Sequence, residues 1–206
     1  MAADLFAISP VPTLAGRIVR LVENTREHDR QLHGVTPPDT FDLFLSAPAD
    51  TSVEAFAQYM RVYRENPRSR VFTVTSALDG RVLGSTSYLD IDAKNRCVEI
   101  GTTWYAAGAR ATGVNPECKL LLLDYAFSVL GCVRVTLKTD ERNVRSQNAM
   151  AKFGAVREGV LRAHRITASG YIRNTVMFSV IASDWPAIRL HLESRIAGAD
   201  LVIPTT

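Results

Sequence analysis

The sequence Arg110-Ala111-Thr112-Gly113-Val114-Asn115 lies between a β-rich run, Cys97 to Tyr105, and an apolar run, Val114 to Leu130. The apolar run predicts a mostly buried helix that begins at the end of this stretch. Main-chain N–H groups at a helix start have no partner within the helix, so together with the helix dipole they favour an anion such as a pyrophosphate. Gly113 would let the main chain approach the phosphates. An ordinary turn capped by Asn115 is the alternative that this stretch alone leaves open.

The runs on either side of this stretch predict a mixed α/β fold. Seven strands are expected, two of them flanking Ser169-Gly170 and five over residues 17–23, 71–77, 81–91, 97–105 and 133–137. Helices are expected from Asn24, from a capping box at Thr51 and Glu54, over 114–130, over 144–153 and from Asp184. The order is strand, two helices, three strands, helix, strand, helix and two strands, which is not the order of a doubly wound sheet.

Composition excludes several classes of protein. The 24 basic and 21 acidic residues give a net charge of +3 without a dense basic block, so nucleic acid is not an expected partner. No apolar run reaches the roughly 18 residues of a membrane span, and we expect a cytoplasmic protein with no membrane partner. The three cysteines form no CxxC pair and no metal-ligand spacing with the four histidines, so we expect reduced thiols and no metal.

Two well-known kinds of phosphate-binding loop are absent from the chain. It contains neither Gly-x-x-x-x-Gly-Lys-Ser/Thr nor Gly-x-Gly-x-x-Gly, which excludes P-loop NTPases and common dinucleotide-binding proteins. The loop instead resembles the pyrophosphate loop of the GNAT acyltransferases, Gln/Arg-x-x-Gly-x-Gly/Ala. Arg110 and Gly113 occupy their places in that pattern, whereas Asn115 stands where the family usually has a small residue.

The resemblance extends on both sides of the loop. It includes Val98-Glu99-Ile100-Gly101 before the loop, and Asn143-Val144-Arg145-Ser146 and Lys152-Phe153-Gly154-Ala155 after the next strand. These pieces are similar to the RimJ/RimL-type branch, the ribosomal-protein-alanine acetyltransferase-like GNATs. The resemblance implies a single domain with a mostly antiparallel central sheet, splayed between its fourth and fifth strands and flanked by helices. The expected bounds are 1–206 for the domain, about 17–192 for its core and 197–206 for a loose tail.

Acetyl-CoA is the co-substrate that the resemblance implies. In the family, the pantetheine arm bonds to the main chain of the fourth strand after the splay, and Gly101 is a suitable place for the bulge that starts it. The resemblance assigns contacts with the coenzyme to Thr103, Trp104, Tyr105, Ala106, Arg110, Ala111, Thr112, Gly113, Val114, Asn115, Asn143 and Ser146.

Two residues are candidates for the proton transfers of acetylation. Glu99 resembles the strand-four glutamate that acts as base in the histone-acetylating GNATs, and its alternatives are an exposed strand residue or an ion pair with an arginine such as Arg96. Met150 stands where the family's usual proton donor, a tyrosine, is expected. Ser146 matches a serine that RimL-type enzymes place near the thioester sulfur, so it is the candidate donor here. A capping or surface serine is the alternative for Ser146.

Further residues have weaker claims to a role. His164 is a second candidate base, or a surface strand histidine. Arg165 stands where RimL-type enzymes carry a glutamate, so that part of their mechanism does not transfer. Cys132 is either near the coenzyme thiol or an inert core cysteine. Trp104 and Tyr105 either line the acyl pocket or pack in the core.

These observations lead to two functional hypotheses. The first is an N-acetyltransferase that moves the acetyl group of acetyl-CoA to a primary amine, on a protein N-terminus or a small molecule, by direct attack in a ternary complex. The second is a non-catalytic sensor of coenzyme A or acyl-CoA on the same fold. Acceptor specificity is expected in residues 32–50 and in the hairpin at Ser169-Gly170. A homodimer is left open.

Overall fold

The computed structural model of the protein describes residues 12–200 and 202–204. Its strands form one eight-stranded sheet. In chain order they are β1 (Leu14–Ala15), β2 (Val19–Glu23), β3 (Arg70–Ser76), β4 (Val82–Asp92), β5 (Cys97–Tyr105), β6 (Arg134–Asp140), β7 (Val156–Ile166) and β8 (Ile172–Ile181).

The strands lie in the order β1-β2-β3-β4-β5-β6-β8-β7. Only β5 and β6 are parallel, and every other neighbouring pair is antiparallel. The mixed, mostly antiparallel sheet expected from the sequence is therefore confirmed. The two-residue strand β1 was not predicted, because so short a run carries no period, and the predicted fourth and fifth strands are β5 and β6.

Five α-helices flank the sheet within the described residues. They are α1 (Asp29–Val35), α2 (Val53–Glu65), α3 (Val114–Asp124), α4 (Val144–Lys152) and α5 (Trp185–Ala197). The predicted long helix starts as α3, continues as a π-helical segment over Tyr125–Val129, and stops before Gly131, whose φ of +63° suits a helix end. The predicted cap of α2 is wrong by one residue, since Ser52 and not Thr51 accepts the hydrogen bond from Ala55 N.

Alternating side chains divide the apolar residues between the two faces of the sheet. One face packs against α3, α4 and α5 in a large core that includes Phe72, Tyr88, Val135 and Leu192. The other face carries a smaller core under α1 and α2, formed by Leu32, Phe56, Tyr59, Met60, Val71, Val82 and Trp104. This second core reaches only as far as Trp104 of β5, so the strands beyond it, β6, β8 and β7, can carry polar side chains on this face.

A buried carboxylate ties the start of α3 to the turn between β1 and β2. Glu117 is 3% exposed and accepts hydrogen bonds from the main-chain N–H groups of Arg17 at 2.9 Å, Ile18 at 2.6 Å and Val19 at 2.7 Å. These bonds satisfy a charge that would otherwise be costly to bury.

The end of the described chain returns to the domain. Ile203 is buried in the large core, and its carbonyl accepts a hydrogen bond from the guanidinium of Arg81. The expected loose tail is therefore wrong at Ile203, because its side chain has a place in the core. Residues 201, 205 and 206 lie outside the described part of the chain. Among residues 12–200 and 202–204, no helix combines the length and apolar character of a membrane span.

Candidate functional site

Strands β5 and β6 separate midway along β5. Their parallel pairing runs only from Cys97 and Arg134 to Glu99 and Thr136, whereas both strands continue beyond it. A gap therefore opens between the later residues of β5 and β6. We call the pair Glu99 and Thr136 the closed end of this gap, and Tyr105 together with the start of α3 its open end.

A bulge in β5 lies beside the gap. Ser87 of β4 faces Gly101, but Ser85 faces Trp104, so β5 contains one extra residue in this interval. The residue with the left-handed backbone is Thr102, with a φ of +42°, and its hydroxyl donates to Ser87 Oγ at 2.7 Å. The predicted bulge therefore begins just after Gly101. A β-branched residue with positive φ is strained, which is common beside functional sites.

Not all main-chain groups of Thr103 to Ala106 face the gap. Ala106 N donates to Leu83 O of the neighbouring strand β4 at 2.8 Å. Because successive residues of a strand point their main-chain groups in opposite directions, Trp104 also faces β4, and Thr103 and Tyr105 face the gap. Tyr105 O is within 3.3 Å of Arg110 Nε, which donates to it.

The start of α3 presents unpaired main-chain donors at the open end. The N–H groups of Ala111, Thr112, Gly113 and Asn115 make no hydrogen bond with any residue that the structure describes, whereas Val114 N donates to Thr112 Oγ1 at 3.2 Å. Thr112 Oγ1 in turn donates to Ala109 O at 2.7 Å. Asn115 is therefore not the cap, because the N-cap residue is Gly113 and Thr112 bonds the first N–H of the helix. The N–H groups left over form a cradle for an anion.

Gly113 has a packing role that the sequence did not reveal. Its φ is −68°, which any residue adopts, but a Cβ added there would lie 2.5 Å from Ile18 Cδ1 and 2.7 Å from Ala199 Cβ. The absence of a side chain therefore serves the packing of the loop against the domain. The left-handed residue of the loop is Ala111, with a φ of +61°.

The two ends of the loop are fixed by side chains. Asn115 lies in the first turn of α3, where its Oδ1 accepts a hydrogen bond from the Tyr105 hydroxyl at 3.1 Å. The Arg110 guanidinium lies 3.4 Å from Asp39 Oδ1, so it pairs with the proline-rich segment between α1 and α2. The loop and the proline-rich segment are therefore neighbours.

Asn143 and Ser146 lie together at the start of α4. Asn143 caps the helix, because its Oδ1 accepts the hydrogen bond from Ser146 N at 3.0 Å. Ser146 is half-buried, and its hydroxyl has no hydrogen-bond partner among residues 12–200 and 202–204. Met150 is 5% exposed and packs in the large core, so it offers no proton donor.

Glu99 is paired with a lysine, not with Arg96. Its Oε2 lies 2.6 Å from Lys138 Nζ, and the Glu99 side chain is 12% exposed. Burial raises the pKa of Glu99 above its ordinary value, while the Lys138 ammonium works against that shift. Burial alone would lower the pKa of Lys138, but the carboxylates of Glu99 and Asp90 outweigh it, and the pKa of Lys138 is raised. Of the alternatives for Glu99, the ion pair is present, but its cation is Lys138 and not an arginine.

Polar side chains of β7 and β8 extend this charged face. His164 is half-buried, with an Nδ1 that is buried and unpaired within the described chain. Burial, followed by the charges of Arg165, Lys138 and Arg173, lowers the pKa of His164. A histidine that is neutral at physiological pH can accept a proton. His164 and Glu99 are not hydrogen-bonded to each other.

The remaining predicted residues lie in the cores. Trp104 stacks on Phe56 of α2, with ring centroids 6.2 Å apart and an interplanar angle of 16°. Trp104 also lines a cavity with Tyr59 and Thr102, whereas Tyr105 is buried against α3 and is a packing residue. Cys132 is 3% exposed and burial raises its pKa to about 12, which makes it an inert thiol.

Sequence reasoning missed three charged residues near the gap. Lys138 lies on the polar side of β6, which the alternation of Arg134, Thr136, Lys138 and Asp140 would have revealed. Glu117 and Lys119 are buried in α3, and a charged residue inside an apolar helix was the available signal.

Comparisons with known proteins agree with this architecture. A family model described as an acetyltransferase (GNAT) domain matches residues 20–156. The structure of a candidate acetyltransferase is 31% identical, covers 93% of this chain and 97% of its own, and superposes with a TM-score of 0.86. That of a candidate acetyltransferase from T. thermophilus is also 31% identical, with coverages of 92% and 100% and a TM-score of 0.85.

A third solved structure is similar at lower identity. It is a GCN5-related N-acetyltransferase from Brucella melitensis, 27% identical, with coverages of 91% of this chain and 86% of its own and a TM-score of 0.83. No curated protein sequence matches the chain.

Proposed function

Because the chain belongs to the GNAT acetyltransferase family, we propose that it transfers the acetyl group of acetyl-CoA to a primary amine, on a protein N-terminus or a small molecule, by direct attack in a ternary complex. One observation carries the proposal. The gap that opens between β5 and β6 after Glu99 leads to the unpaired N–H groups at the start of α3. A narrow strand edge that ends at an anion cradle suits a ligand with an extended arm and a pyrophosphate.

The residues at the open end fit acetyl-CoA. The free N–H groups of Ala111, Thr112, Gly113 and Asn115 would hold the pyrophosphate, and the main chain of Thr103 and Tyr105 would hold the arm. Of the expected strand contacts, Trp104 and Ala106 contribute least, because their main-chain groups face β4 and the N–H of Ala106 is bonded to Leu83. Bound acetyl-CoA supplies an activated acyl group, and the chemistry left to the protein is the handling of protons.

We assign removal of the amine proton to Glu99. Its carboxylate is mostly buried at the closed end, with Lys138 as its partner. Glu99→Gln keeps the shape and removes the charge, so kcat/KM should fall at neutral pH and recover partly at high pH, where free amine is abundant. An equal loss at all pH values together with a lower melting temperature would instead mean that Glu99 holds the strands, and proton removal would pass to water or His164.

We assign delivery of a proton to the departing sulfur to Ser146, whose hydroxyl would give its proton to the thiolate while it takes one from a solvent molecule, so that no alkoxide is left. Its hydroxyl has no partner in the described chain, and the helix that carries it is fixed by the Asn143 cap. A hydroxyl both donates and accepts hydrogen bonds, so it can fill the place of the usual tyrosine. No other donor stands at Met150, which is in the core.

The acceptor belongs on the polar face formed by β5 to β8. Arg142 lies over the ring of Tyr171, 3.6 Å from its centroid, and so connects the β7–β8 hairpin to the start of α4. Arg110 connects the proline-rich segment to the coenzyme loop. The β7–β8 hairpin and the proline-rich segment would select the amine. The RimJ/RimL-type branch, a cytoplasmic location and a homodimer remain part of the proposal, whereas nothing in the comparisons supports the sensor hypothesis.

The test combines binding and turnover. Acetyl-CoA should raise the melting temperature of the ligand-free protein, since it binds the folded state alone. Release of free thiol from acetyl-CoA should then depend on added amine, across N-terminal peptides, polyamines and aminoglycoside-type amines. Unchanged melting at millimolar acetyl-CoA would overturn the coenzyme site, while binding without amine-dependent thiol release would favour the sensor.

A further inference from the structure

Lys119 is a buried lysine without a carboxylate partner. It lies on α3 with 6% of its surface exposed, and its Nζ donates a single hydrogen bond, to Thr103 Oγ1 at 3.3 Å. Within residues 12–200 and 202–204 it takes part in no ion pair. An ammonium carries three N–H donors, so two of them have no acceptor in the described protein. Lysine is rarely buried in this way, because an unpaired charge is costly to desolvate.

The position of Lys119 is beside the gap. Helix α3 lies along β5, with Asn115 bonded to Tyr105 and Lys119 bonded to Thr103. Thr103 follows the bulge at Thr102, where β5 still pairs with β4 but no longer pairs with β6. The lysine therefore meets β5 on the part of the strand whose outer edge is free.

The surroundings of Lys119 do not need a cation. The Thr103 hydroxyl is already within 2.8 Å of Thr86 Oγ1 and 3.2 Å of Gly101 O, so it has partners of its own. An apolar side chain of similar length would fill the same space without the cost of a buried charge. The spare donors therefore point to an acceptor that arrives with a ligand.

The charge state of Lys119 is set by burial, which lowers its pKa to about 8. The thiol of Cys118 is the ionisable neighbour of Lys119, and burial raises the pKa of Cys118 to about 12, so this thiol carries no charge near pH 8. Burial also raises the pKa of Tyr105, which contacts Cys118, well above its ordinary value. Both neighbours are thus neutral where Lys119 titrates, and Lys119 is mostly protonated at neutral pH.

We infer that Lys119 donates a hydrogen bond to a carbonyl oxygen of the acyl-pantetheine arm, which makes it a binding residue for the neutral part of the coenzyme. The inference rests on the proposed function, because it takes acetyl-CoA as the ligand of the gap. The arm offers amide and thioester carbonyls, and hydrogen bonds from a charged donor to such groups are stronger than those between neutral groups.

Calorimetric titration with two ligands tests the inference. Acetyl-CoA carries the arm, whereas adenosine 3′,5′-bisphosphate carries the nucleotide and phosphate charge without it. Lys119→Met should weaken acetyl-CoA binding by about tenfold or more and leave bisphosphate binding unchanged. Lys119→Gln, which keeps N–H donors, should restore part of the loss. The matched control is Lys94→Met, which removes an exposed lysine in the turn before β5 and should change neither affinity.

The pH dependence gives a second readout. Acetyl-CoA affinity of the wild type should fall, relative to the bisphosphate, as the pH rises through 8, and Lys119→Met should lack this fall. Without ligand, Lys119→Met should melt at or above the wild-type temperature, because it removes a buried charge. The inference is overturned if the wild type and Lys119→Met bind acetyl-CoA with equal affinity. It is also overturned if Lys119→Met binds neither acetyl-CoA nor the bisphosphate and has a lower melting temperature. Failure of the wild type to bind acetyl-CoA would overturn the proposed function instead.

Discussion

The two ends of the gap between β5 and β6 are built from different parts of the chain. At the open end the polar groups are main-chain N–H donors of residues 111–115. At the closed end they are side chains from separate strands, with Glu99 on β5, Lys138 on β6 and Asp90 on β4. A main-chain site depends on the shape of the loop and tolerates changes of side chain that keep this shape. A side-chain site depends on the identity of each residue, so the two ends should respond differently to substitution.

The largest effect is expected at the open end, from Gly113→Val. The new side chain would collide with Ile18 and Ala199, so the free energy of unfolding should fall by about 3 kcal/mol, as for overpacking of a core. Urea unfolding measures the loss. Gly34→Ala is the control, since a Cβ on this α1 residue meets nothing within 4 Å. A Gly113→Val protein of normal stability that fails to bind acetyl-CoA would mean that Gly113 serves the phosphates directly.

The next effect concerns rate. Ser146→Ala should lower kcat by roughly 10²-fold, because the departing sulfur loses its proton donor, with a modest change in KM for acetyl-CoA. Steady-state kinetics with a saturating amine measure it. Ser194→Ala, which removes an exposed hydroxyl on α5, is the control. Wild-type kcat in Ser146→Ala would leave Ser146 a structural role at the helix start.

At the closed end, Lys138→Met should destabilise the protein by about 2 kcal/mol at neutral pH, because Glu99 loses the cation at 2.6 Å and stays mostly buried. The pKa of Glu99 is already raised by burial and should rise further. A carboxyl group whose pKa is raised in the folded state stabilises that state at low pH, and this stabilisation is lost as the pH rises through the folded-state pKa. The difference from the wild type should therefore shrink below about pH 4, where Glu99 is protonated in both folded and unfolded chains.

Two comparisons check this result. Arg61→Met breaks an exposed ion pair with Glu65 at 3.8 Å and should cost little. The double variant Lys138→Met with Glu99→Gln should recover most of the loss, since no carboxylate is left unpaired. A loss in Lys138→Met that is the same at every pH would contradict the pairing with Glu99.

The smallest effect returns to the open end. Thr112→Val removes the hydroxyl that accepts from Val114 N, and should cost about 1 kcal/mol of unfolding free energy, as for a helix cap. Thr51→Val is the matched control, because Ser52 caps α2. If both variants lose the same unfolding free energy, the bond from Val114 N to Thr112 does not stabilise the start of α3.

The sequence was informative where structure follows from neighbouring residues. The bounds of β5 and the start of α3 were predictable, since both depend on local periodicity and on the residues around Gly113. The partner of Glu99 was not, because Lys138 reaches it through the pairing of two strands that lie far apart along the chain. The packing role of Gly113 was not predictable either. A glycine indicates that another group comes close to the main chain but not which group it is. Ile18 lies far before Gly113 in the sequence, so local patterns do not reveal this contact.

The three hydrogen bonds to Glu117 have a consequence for how the protein is made. They join Arg17, Ile18 and Val19 to a residue 98 to 100 positions later in the chain. At a synthesis rate of about 5–20 residues per second, these three residues are added to the chain roughly 5 to 20 seconds before Glu117. During this interval the turn before β2 has no carboxylate to bind its N–H groups. The helix that carries the anion cradle therefore locks onto the amino-terminal strands only after more than half of the chain has been translated.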